Sequence, residues 1–71
     1  MTLGEVLKTW RSINHHIHAL DESAVKQLLD MEIAGQRRLT VLERIHQRYT
    51  MLRAERERRE ILALAGERHV G

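Results

Sequence analysis

Apolar residues recur along the first twenty positions at spacings of 3, 4, 3, 4 and 3, as Leu3, Val6, Trp10, Ile13, Ile17 and Leu20. That rhythm predicts a helix over about residues 3–20, with a narrow, unbroken seam of the a/d type. Thr2 stands three residues before Glu5, the capping-box spacing that satisfies two otherwise unpaired backbone donors at a helix start. Leu7 widens the seam at one end. Lys8, Arg11, Ser12, His15 and His18 fall on the other faces, where water is expected.

Asp21, Glu22 and Ser23 then break the pattern with residues that cap and charge a helix N-terminus. A second helix is predicted over about residues 22–34, with Val25, Leu28, Leu29 and either Met31 or Ile33 facing inward. Gly35 is the expected positive-φ residue at its end. A basic loop of Gln36, Arg37 and Arg38 follows, and Thr40 with Glu43 repeats the capping-box spacing. The third helix is expected over about residues 41–64, with Val41, Leu42, Ile45, Tyr49 and Leu52 on one face. It continues through the charged octet Arg53 to Glu60, whose Arg and Glu residues stand four apart and can support a solvated helix. Ile61, Leu62 and Leu64 restore apolar character before Gly66, and residues 67–71 read as a frayed tail. A lone glycine is a weak boundary, so fusion of the second and third helices is the alternative.

Helix formers dominate, there is no proline, and no stretch alternates in the manner of a strand. The expected fold is all-α: a small helical hairpin or three-helix unit with a long third helix, with residues 1–66 as a single domain. Chains below about 70 to 80 residues rarely draw more than about 3–5 kcal/mol from one core. This chain has 71 residues, no cysteine for a disulfide and only two aromatic residues, Trp10 and Tyr49. The core is therefore expected to be completed across a homodimer interface, with a monomeric three-helix hairpin as the alternative. Leu3, Val6, Trp10, Ile13, Ile17, Leu20, Ile45, Tyr49 and Leu52 form the expected core or dimer seam. Trp10 reads first as a core residue and second as an interface anchor.

The longest apolar run is Ile61 to Ala65, far short of the roughly 18 residues of a spanning helix. No secretory-signal pattern opens the chain, so the expectation is a cytoplasmic protein without a membrane partner. The lack of cysteine removes thiolate metal sites and thiol chemistry. His15 and His18 share a helical face, which Glu22 would join if the helix continued, but such a site is open and has no evident outer-shell carboxylate. His16 points elsewhere, and His46 and His69 are distant in sequence; no metal and no cofactor are expected. Full protonation of the five histidines would move the net charge from +2 to +7. No glycine-rich phosphate loop is present, no Ser/His/Asp set has a scaffold large enough to enclose it, and Glu43 with His46 is an ordinary surface pairing. An enzyme is not expected.

Charge is unevenly spread. Residues 1–35 carry three basic and five acidic side chains, whereas residues 36–71 carry nine basic, all arginine, and five acidic. Arg37, Arg38, Arg44 and Arg48 contain the densest part not diluted by acids and form the expected partner-binding set. A helix-turn-helix reading fits poorly, because Asp30 and Arg44 stand where packing residues belong. The expected function is a small non-enzymatic protein-binding module, acting on an unidentified protein partner through a dimeric helical surface. Inhibitors, adaptors and regulators, including phage accessory proteins, are of this kind. The alternative is a nucleic-acid-binding transcriptional regulator that uses the arginine-rich third helix.

Overall fold

Thr2 and Thr9 each start a helix. In the computed structural model, which describes residues 2–67, Thr2 accepts a hydrogen bond from the Glu5 N–H at 3.2 Å and opens α1, Leu3–Val6. Thr9 is extended, at φ −136° and ψ 157°, and its hydroxyl accepts from the Ser12 N–H at 3.1 Å to open α2, Trp10–His16. The Ser12 hydroxyl donates in turn to the Glu5 carbonyl at 3.1 Å, satisfying an acceptor at the end of α1. The single helix expected over residues 3–20 is thus two short helices, followed by a 3-10 turn at Ile17–Ala19. The cause is Thr9, whose side chain offers the backbone a bond that competes with helix continuation.

Asp21 caps α3, Glu22–Ala34, by accepting from the Ala24 N–H at 2.8 Å. The Glu32 carbonyl ends this helix, accepting from the N–H groups of both Gly35 and Arg37. Gly35 does not supply the left-handed residue expected of it; that residue is Arg37, at φ 51°. Space is tight at Gly35: a Cβ there would lie 3.1 Å from the Met31 carbonyl oxygen, which would have to give by a few tenths of an ångström. α4, Leu39–Glu67, is separate from α3 and starts two residues earlier than expected. Thr40 therefore lies inside its first turn. The Glu32 carboxylate stands at the N-terminus instead, accepting from the Arg38 N–H at 2.7 Å, where the helix dipole favours negative charge.

Four helices and no strand among the described residues make the fold all-α. Ion pairs from Glu32 to Arg38 and from Glu22 to Arg56 show α3 running antiparallel to α4, with the α1–α2 segment packed on this hairpin. Val6, Ile13, Ile17, Val25, Leu28, Val41 and Ile45 are the buried core, against which Leu3, Leu7, Leu20, Leu29, Tyr49 and Leu52 pack. Met31 and Ile33 are exposed, and Glu32 between them is buried. It follows Val25 and Leu28 on the inward stripe at i+7 and i+4.

At 29 residues, α4 is about 43 Å long. α3 covers it only as far as Arg56, and every side chain from Glu57 to Gly66 is exposed. The molecule accordingly measures 53 × 22 × 16 Å, with a radius of gyration of 15.4 Å against about 11 Å for a compact chain of this length. Its accessible surface is 5357 Å², about 750 Å² more than expected for a folded monomer of 8.4 kDa. No helix of the described residues is long and apolar enough to cross a membrane. Of the tail expected over residues 67–71, Glu67 belongs to α4, and residues 68–71 lie outside the described residues.

Candidate functional site

The four arginines expected to bind a partner do not form one patch. Arg38 is taken up by the fold: its Nε and Nη2 donate to the two oxygens of Glu32 at 2.8 and 2.9 Å, and Nη2 also donates to the Leu7 carbonyl at 2.8 Å. It thereby joins α1, α3 and the start of α4. Arg37 is exposed, and its Nε donates to the Ile33 carbonyl at 2.7 Å, capping the end of α3. Arg44 and Arg48 lie farther along α4, with Arg48 about 15 Å beyond Arg38. Arg48 is partly buried, and its Nε has no hydrogen-bond partner among the described residues.

Arg44 belongs instead to an arrangement centred on Trp10. Restarting the helix at Thr9 makes Trp10 the first residue of α2 and turns its ring out of the seam, so that it is 50% exposed. Val6, Ile13 and Ile17 are buried on either side of it in sequence, while Leu3 and Leu20 are partly buried. The backbone beneath Trp10 is held firmly. Asn14 Nδ2 donates to the Trp10 carbonyl at 2.9 Å, and Arg44 Nε donates to Asn14 Oδ1 at 2.9 Å. Trp10, Thr40, Glu43, Arg44 and Gln47 line an open groove of about 400 Å³ between α2 and α4. On α4, Ile45 is buried and Tyr49 and Leu52 are partly buried. The Arg53 guanidinium lies 5.6 Å from the centre of the Tyr49 ring.

The histidines are scattered. His15 and His16 meet edge to face, with ring centres 4.7 Å apart, and His16 Nδ1 lies 2.9 Å from the Ser12 carbonyl oxygen, to which it must donate. His18 lies in the 3-10 turn, and Leu20 is extended before α3 begins. The helical i+4 relation that would bring Glu22 to His18 therefore does not form. No group of three or more His, Asp or Glu side chains among the described residues could hold a metal ion. Glu43 and His46 are both exposed, and His69 lies outside the described residues.

The other distinctive surface is the projecting end of α4. Arg56 anchors its base, donating to Glu22 at 2.7 Å and to Glu60 at 3.0 Å; these two bonds, the Glu22 one first, hold its guanidinium above the usual arginine range. Beyond it, Ile61, Leu62 and Leu64 are 63%, 56% and 60% exposed. Comparison with protein families, curated proteins and solved structures finds no match to this chain.

Proposed function

We propose that this chain is a non-enzymatic protein-binding module, an inhibitor, adaptor or regulator that works as a homodimer and grips its protein partner with Trp10. The observation that carries this reading is the exposed indole on a preorganised support. Trp and Arg are the side chains most enriched at binding hot spots, and here Arg44 fixes the backbone of Trp10 through Asn14. A partner side chain of apolar character would cover the indole, while the remaining N–H groups of Arg44 suit a carboxylate or carbonyl at the rim of the groove. The dimer is supported by the extended shape and the surplus surface, which a chain with so small a core has reason to bury.

The nucleic-acid reading has less in its favour. Arg38 is held by the buried Glu32, and Arg53 and Arg56 on α4 are each paired with a glutamate, which lowers the positive charge that this helix offers to a phosphate backbone. Affinity capture from lysate with and without nuclease, using wild type and Trp10→Ala, separates the two. Retention of a discrete protein after nuclease by wild type, lost in Trp10→Ala with helicity unchanged, supports protein binding. Recovery only with intact nucleic acid, indifferent to Trp10, contradicts it. Trp10 emission is expected to be red-shifted and quenchable in the free protein and to move to the blue when partner is added.

A further inference from the structure

Resting on the dimeric reading above, we propose that the projecting end of α4, from Glu57 to Ala65, is the surface on which a second copy of this chain docks. Five consecutive residues, Ile61 to Ala65, are apolar. At about 100° per residue they encircle the helix, so this segment has no polar face to give to solvent. A helix apolar on all sides is ordinarily surrounded by protein. Here all five side chains are exposed among the described residues.

Among the described residues nothing of the chain covers this segment. α4 runs unbroken from Leu39 to Glu67, which holds the segment away from the body, and α3 ends its coverage at Glu22 beside Arg56. The occupant is therefore another molecule, and two observations favour a second copy. The surplus of about 750 Å² over a folded monomer of this mass matches the roughly 800 Å² that each partner contributes to an interface of standard size. The charges beside the apolar run are also mixed: Arg56, Arg58 and Arg59 interleave with Glu55, Glu57 and Glu60. Such a surface, neutral overall, has no net attraction for a partner of either single sign but can find compensation in its own copy, and a two-fold axis closes the assembly at two chains.

Sedimentation equilibrium at micromolar concentration tests this on the full chain, comparing wild type with Trp10→Ala and with the double variant Ile61→Glu, Leu62→Glu. Both replaced positions of the double variant are more than half exposed and lie beyond the last ion pair between α3 and α4, so its far-ultraviolet circular dichroism should retain the helices of residues 3–56. The expected result is a wild type of twice 8.4 kDa. The double variant is expected to be a monomer, with dimerisation weakened at least about a hundredfold, since each buried aliphatic side chain contributes a factor of ten or more. Trp10→Ala should remain a dimer. A wild type of 8.4 kDa would overturn both the dimeric reading and this assignment. A dimer that survives the double substitution would overturn the assignment to α4 alone and leave the dimeric reading standing.

Discussion

The Glu32 carboxylate is 1% exposed and accepts three hydrogen bonds from Arg38, two from its side chain and one from its backbone. Those bonds, the side-chain ones first, hold the carboxyl below its ordinary range although burial alone would raise it. Folded protein therefore binds fewer protons here than unfolded chain does. The resulting stabilisation is complete above about pH 4.5 and is lost as pH falls through the lower folded-state value. Denaturant melts at neutral pH and in acid should show this loss in wild type and a shallower one in Glu32→Gln. Removing Arg38 is more damaging, because it leaves a buried charge uncompensated. Arg38→Ala is expected to cost about 3–5 kcal/mol, most of what so small a core supplies, and to read as an unfolded chain by circular dichroism. The position of Glu32 on the inward stripe was legible from its spacing after Val25 and Leu28, but its charge argued for water. Only the return of the chain through Arg38 resolves that conflict, and this contact depends on the turn geometry.

At the scale of elements, the apolar spacing across residues 3–20 reported which side chains face inward but not whether the backbone between them is continuous. Val6 and Ile13 stand seven apart and are both buried, as an unbroken seam requires, yet the helix ends and restarts between them. Trp10 sits at the restart and leaves the seam. A signal was present in Thr9, a residue that favours helix caps over helix interiors, but the regular apolar spacing around it hid the break. Thr9→Ala is expected to cost about 1 kcal/mol in urea denaturation with an unchanged slope, by removing the bond to the Ser12 N–H. α3 was more readable. Asp21, Glu22 and Gly35 bracket it with residues whose preferences agree with one another, and its bounds at Glu22 and Ala34 follow. α4 was readable at its apolar start and through the octet, where the expected pairs four apart form as Arg53 with Glu57 at 3.5 Å and Arg56 with Glu60 at 3.0 Å.

At the scale of the whole molecule, a short helical body carries a helical projection of about 16 Å, the part of α4 beyond Arg56. The body buries seven aliphatic side chains between two antiparallel helices and the N-terminal segment packed on them, and the projection from Glu57 to Gly66 buries none. The two surfaces left over have different characters. The Trp10 groove is small and polar-rimmed, suited to recognition, whereas the end of α4 is apolar all round, suited to permanent burial. A dimer joined at α4 would leave both Trp10 grooves open and give the module two gripping sites, which raises its hold on a repeated or symmetric partner. Small-angle X-ray scattering tests the central claim most directly, because forward scattering counts the chains and the radius of gyration reads the shape in one experiment. A dimer joined at α4 gives a mass of twice 8.4 kDa and a radius of gyration above 15.4 Å; the mass of a single chain at a radius near 15.4 Å would contradict the dimer.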